Sequence, residues 1–152
     1  MINGTTIIDA IIAKIYGAYP NVSLRDETIQ QGSERPFFYV EQLDLTQWKE
    51  SSNKYDRLYQ MQVSYEVDIN ATDTNTQLNN MGSDLMDLLS TIDVEYGTHE
   101  LTLPIIGRHM DYKIVDDVMQ FFVSYPMRVY KQLDGVAKQE QLTINTNTKN
   151  GG

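Results

Sequence analysis

The order of apolar and polar positions divides the chain into two helices and several strands. Ile7, Ile8, Ile11, Ile12 and Ile15 recur at helical spacing, so one face of a helix over residues 6–17 is almost entirely isoleucine. Thr6 is placed to cap it, with Asp9 three residues on, and Gly17 and Pro20 stop it. A brief strand is predicted at residues 22–24. Arg35-Pro36-Phe37-Phe38-Tyr39-Val40-Glu41-Gln42-Leu43 reads as a longer one: proline favours extended backbone before it, and aromatic and β-branched residues follow. Residues 46–56 are polar apart from Trp48 and Tyr55 and read as the tip of a long hairpin. Beyond them Tyr59, Met61, Val63, Tyr65, Val67 and Ile69 alternate with polar residues, the signature of a strand with one dry and one wet face.

Residues 70–75 read as a turn. Leu78, Met81, Leu85, Leu88, Leu89 and Ile92 then predict a second amphipathic helix over 75–92. Gly82 lies inside it, where close approach of a neighbour explains glycine better than helix propensity does. Short strands are predicted within 94–103. Residues 109–115 and 118–130 form a hairpin about Asp116-Asp117, whose two-residue loop sets Val115 opposite Val118, Ile114 opposite Met119, Tyr112 opposite Phe121 and Met110 opposite Val123. Pro126 requires an edge or a bulge there. Val63 and Phe121 are expected in the core. The fold class read from these elements is α+β, a mostly antiparallel sheet with two packed helices. One domain over residues 1–132 is expected. Residues 133–152, rich in Asn, Thr, Gln and Gly, are expected to form a flexible tail.

Composition narrows the function. At 152 residues with 41% hydrophobic content the chain supports one core, and the absence of cysteine removes disulfides, thiolate metal ligands and thiol catalysis. No apolar run approaches the roughly 20 residues that span a bilayer, and the N-terminus does not read as a signal peptide. A net charge of −9 argues against a sequence-independent grip on DNA. That charge is uneven. Residues 58–107 hold Glu66, Asp68, Asp73, Asp84, Asp87, Asp93, Glu95 and Glu100 without one Lys or Arg. Either this is an ordinary solvated face, or the subunit meets partners through surfaces of opposite charge.

Candidate chemistry is sparse. His99 and His109 are far apart in the pattern and read as surface residues. Asp116 and Asp117 are explained by a turn that needs left-handed backbone, which Asp tolerates. Asp68-Ile69-Asn70-Ala71-Thr72-Asp73 starts like a calcium loop, but Asp73 stands at the glycine position and Asn79 at that of the bidentate Glu. No catalytic constellation, cofactor motif or metal signature is present, so the chain reads as a non-enzyme without cofactor or metal. Trp48, Tyr55, Phe122, Tyr125 and Tyr130 are too many for one small core, so some are expected at a surface or an interface. Trp48, Lys49, Lys54 and Tyr55 are the candidate interface residues.

Three segments carry a resemblance. They are Gly32-Ser33-Glu34-Arg35-Pro36-Phe37-Phe38-Tyr39-Val40-Glu41, Tyr55-Asp56-Arg57-Leu58-Tyr59 at the head of the alternating strand, and Val115-Asp116-Asp117-Val118-Met119-Gln120-Phe121-Phe122-Val123-Ser124-Tyr125. With the isoleucine helix they resemble the tail terminator family of contractile-tail phages and defective prophages of Gram-positive bacteria, over about residues 7–132. Many members carry Asp-Gly where this chain has Asp116-Asp117. The resemblance implies a hexameric ring on the last ring of tail tube protein, which stops polymerisation and presents a surface to the neck proteins on the head side. In contractile tails it also implies contact with the sheath. It places the chain in the virion after assembly in the host cytoplasm, with DNA passing through the ring and no membrane contact. Asp84 and Asp87, three apart on the second helix, are candidates for an acidic lining of that passage. The alternatives are another neck ring such as a head-closure or connector protein, a cellular protein-binding adaptor, and an enzyme, which would need a deep pocket of convergent titratable groups.

Overall fold

The computed structural model describes residues 2–25, 36–68, 70–97, 101–131 and 143–144. Helix α1 (Gly4–Ala18) begins where the chain can satisfy its first free amides. Asn3, rather than Thr6, is the cap. Its side chain accepts from the Thr6 N–H at 3.1 Å while the Thr6 hydroxyl accepts from the Asn3 N–H at 2.7 Å, a reciprocal box in which Asp9 takes no part. Strand β1 (Ser23–Arg25) runs parallel to the start of β2 (Phe37–Ser51), which turns back antiparallel into β3 (Lys54–Glu66). Helix α2 (Thr74–Leu88) follows, then the small hairpin of β4 (Thr91–Tyr96) and β5 (Leu101–Ile106). Strands β6 (Arg108–Val115) and β7 (Val118–Tyr130) form the last long hairpin, and β8 (Thr143–Ile144) pairs with the end of β7.

The main sheet has the order β1-β2-β3-β7-β6, with β8 beside β7, and every pairing except β1 with β2 is antiparallel. Helix α1 packs on β4 and β2, while α2 packs on β7, β6 and β3. One face of the sheet is therefore covered by helices, and the other, called the bare face, carries no described helix. The dry face of the alternating strands supplies the core: Tyr59, Met61 and Val63 from β3, and Met119, Phe121 and Val123 from β7, against Ile7, Ile11 and Ile15 of α1 and Leu78 and Leu85 of α2. Val63 and Phe121 are fully buried. The architecture is α+β with two helices on a mostly antiparallel sheet.

Some boundaries differ from the sequence expectation. The segment 46–56 is strand almost throughout, and only Ser52 and Asn53 turn. Helix α2 stops before Ile92, which lies buried in β4. The Leu85–Leu89–Ile92 spacing suits a helix, but Ile92 and Val94 also alternate at period two, and the β4–β5 ladder takes them. The β6–β7 register is as predicted from Val115–Val118 to Tyr112–Phe121 and then breaks in a bulge between Arg108 and Asp111, so Met110 has no regular partner in Val123. Pro126 pairs with Leu58 on one side, and on the other β6 has already ended opposite Ser124, so it occupies an edge. His99, residues 32–35 and the tail apart from Thr143 and Ile144 lie outside the described residues.

Candidate assembly surface

The far end of the β2–β3 hairpin gathers the candidate interface residues. Register places Trp48 opposite Asp56, Lys49 opposite Tyr55, and Lys54 opposite both Ser51 and Tyr130. The four candidates thus sit within one end of one hairpin, but on two faces: Trp48 shares its face with Asp56, and Lys49 shares its face with Tyr55. The Trp48 indole N–H donates to Glu50 at 2.6 Å, and the residue remains 44% exposed. Lys131 Nζ lies 4.5 Å from the Tyr55 ring centroid and Lys49 Nζ 5.9 Å from it, so the ring carries two cations. The Lys131 backbone N–H also donates to the Asn53 carbonyl at 2.9 Å, tying the end of β7 to the hairpin turn.

Two further residues at this end have no sequence signal. Arg128 donates twice to Asp56, from Nε at 2.8 Å and from the second nitrogen at 3.2 Å. These hydrogen bonds hold the Asp56 carboxylate below its ordinary range, against a smaller opposing effect of burial. Arg57 donates to Gln47 at 2.7 Å across the hairpin. Arg128 is 72 residues from its partner, and only the β3–β7 register brings the two together.

Strand β2 is exposed along most of its length. From Gln42 to Ser51 every residue is exposed, including Leu43, Leu45 and Trp48 at 41–47%. On the bare face Leu43, Leu58, Gln60, Phe122, His109 and Asp111 border an open depression of about 460 Å³. Its titratable members, His109 and Asp111, are exposed at the rim. Among the described residues no group of three or more His, Asp or Glu side chains is placed to hold a metal ion. No described helix is long and apolar enough to cross a membrane.

The aromatics expected at a surface divide. Tyr125 is fully buried, its hydroxyl donating to the Leu89 carbonyl at 2.7 Å, and that burial raises its pKa. Tyr55, Phe122 and Tyr130 are half-buried and Trp48 is exposed. Asp84 and Asp87 are both exposed on α2, where Asp84 accepts from the Tyr19 hydroxyl at 3.2 Å. That carboxylate and burial both raise the Tyr19 pKa, burial more.

A search of curated proteins gives no match. The family model described as phage tail terminator protein matches residues 6–137, from α1 through the end of β7 and so across both helices and both long hairpins. The family is a structural one, and this chain belongs to it.

Proposed function

We propose that copies of this chain close into a hexameric ring on the last ring of the tail tube, stop its polymerisation and join it to the neck on the head side. The family match over most of the chain carries this reading. The hairpin end supports it: Trp48 is exposed and Tyr55 half-buried there, aromatic side chains of the kind that binding surfaces favour, with Lys49 and Lys54 beside them. In a contractile tail the ring also meets the sheath. The chain acts without catalysis, cofactor or metal, is built into the virion in the host cytoplasm, and lets DNA pass without reading its sequence. Asp84 and Asp87 belong to the wall of that passage.

The test is tail assembly with and without the protein. Tubes formed without it are expected to run past their normal length. Adding the purified chain is expected to arrest them, with a ring visible at one end by electron microscopy. Tubes of normal length in its absence, together with binding to the capsid vertex instead of the tube, would move the chain to a head-closure role.

A further inference from the structure

Strand β2, which borders the main sheet beyond its short pairing with β1, and β6 at the other border differ in charge and run in opposite directions. Strand β1 pairs with β2 only at Phe37, Phe38 and Tyr39, so from Val40 to Ser51 the outer edge of β2 meets no other described strand. It is a long edge, wet on both faces, that carries Leu43, Leu45 and Trp48 in the open. An edge of this kind is a template for another strand. Charges, prolines and bulges normally blunt one. Here two bulges interrupt β2, between Gln42 and Asp44 and between Lys49 and Ser51, and Glu41, Asp44, Lys49 and Glu50 charge it, but it holds no proline, and the run from Leu45 to Trp48 has neither bulge nor charge.

The opposite border of the sheet is β6. Across the ladder β2, β3, β7 and β6 alternate in direction, so β6 runs antiparallel to β2. If the sheet is repeated by rotation, each copy's β2 faces the next copy's β6 in the antiparallel sense, the stronger of the two pairings. The charges agree. Strand β2 carries Glu41, Asp44 and Glu50 against Lys49, whereas β6 carries Arg108 and Lys113 against Asp111. Register puts Glu41 and Asp44 on the bare face, opposite Gln62 and Gln60, and Arg108, Asp111 and Lys113 on that same face, opposite Ser124, Phe122 and Gln120, so on this face β2 is net acidic and β6 net basic. Pairing β2 with the β2 of another copy would set acids against acids.

We infer that the ring closes by strand addition: the outer edge of β2 accepts β6 of a second copy of this chain, and the net acidic bare face of β2, with Glu41 and Asp44, lies beside the net basic one of β6, with Arg108 and Lys113 flanking Asp111. This rests on the ring reading above and specifies its subunit contact. Opposite charges across neighbouring strands are favourable and like charges are not, so the contact can be reversed one side at a time. One variant carries Glu41→Lys with Asp44→Lys, and the other carries Arg108→Glu with Lys113→Glu.

Native mass spectrometry of the full chain reads the outcome. Wild type is expected as a ring and each variant alone as a monomer with unchanged circular dichroism. An equimolar mixture of the two is expected to regain the ring mass with alternating subunits, because each reversed β2 then meets a reversed β6. A second pair of variants, Gln47→Pro and Trp48→Pro, addresses the backbone. Adjacent N–H groups of an antiparallel strand point to opposite sides, so one of these prolines removes a bond to β3 and the other only a bond to the neighbour. One of the two is expected to keep the monomer's thermal midpoint and lose the ring. A wild-type ring that survives both charge reversals and both prolines overturns strand addition and leaves the ring reading standing. A wild-type chain that stays monomeric even on tail tubes overturns both.

Discussion

Gly82 sits in α2 where a Cβ would lie 2.7 Å from the ring of Tyr112, and the Tyr112 hydroxyl donates to Asn79 one turn earlier at 2.8 Å. The ring is thus held on the helix at both ends and has little room to yield. Alanine at Gly82 gains about 1 kcal/mol in helix propensity, but forcing a methyl into packed space costs about 1–3 kcal/mol. Gly82→Ala is therefore expected to lower the thermal midpoint in the wild-type background and to raise it in a Tyr112→Ala background. The same sign in both backgrounds would show that the ring is not what excludes the methyl. Asp56 and Arg128 make a different kind of contact, with side chains 20% and 39% exposed. At that exposure the pair contributes about 1 kcal/mol at most. The native Asp56 pKa is depressed, so this stability is present above the ordinary carboxylate range and fades as pH falls through the native value. Asp56→Asn is expected to melt below wild type at pH 7 and alongside it in acid, and a gap that persists in acid would mean that the loss is packing rather than charge. Neither residue's role was equally legible beforehand. A glycine inside a helical pattern asks for a neighbour, and Tyr112 supplies it, but nothing near Asp56 in the chain announces Arg128.

The hairpins show which features of an element a sequence can reveal. Strands β6 and β7 alternate cleanly and are joined by two residues, so turn and pattern fix one register between them. Asp116 and Asp117 both adopt positive φ, 51° and 63°, as a type I′ turn requires, and they do so without a glycine. The bulge further down β6 could not be foreseen. It passes through His109 at φ 53°, a conformation histidine tolerates but does not signal. The β2–β3 end is the hairpin tip that its polarity suggests, but its strand character is hidden for a related reason. Its residues are polar on both faces, and hydrophobic alternation registers a strand only when one face is buried. Its strand character comes from hydrogen bonding to β3, which is itself held by β7 from Lys54 to Glu66. That difference in neighbours sets an expectation for hydrogen exchange in the free subunit. Amides of β3 over 54–60, flanked on both sides, are expected to exchange slowly, and the outward amides of β2 over 44–51 quickly. On ring formation the β2 amides are expected to slow. Exchange that is equally slow before and after assembly would show that β2 is not mobile in the free subunit, and exchange that is equally fast would show that it is not engaged in the ring.

At the scale of the molecule the distribution of charge outweighs its total. Lys49, Lys54, Arg57, Arg128 and Lys131 gather where β2, β3 and β7 end together. The carboxylates without basic company lie elsewhere: Asp84 and Asp87 on α2, and Asp93 and Glu95 on β4, all exposed. The sequence foretold the separation, because residues 58–107 lack any Lys or Arg. It could not foretell that Tyr19, at the end of α1, donates to Asp84 and so fixes one of these carboxylates. If copies of this chain form the proposed ring around DNA, such a face has reason to lie on its inner wall. A cationic wall would hold phosphates, each neutralised one adding affinity through counterion release, and the genome would leave slowly. A wall of carboxylates avoids that trap. Leu85 is buried beneath the same helix and anchors it, so Asp84 and Asp87 can be replaced without disturbing the core. Replacing both with Lys changes the charge of this face by four units per subunit. In particles whose rings assemble normally, Asp84→Lys with Asp87→Lys is expected to slow DNA ejection at low salt, and added salt is expected to relieve the delay by screening the new cations. Ejection at the wild-type rate at every salt concentration would place this face outside the passage.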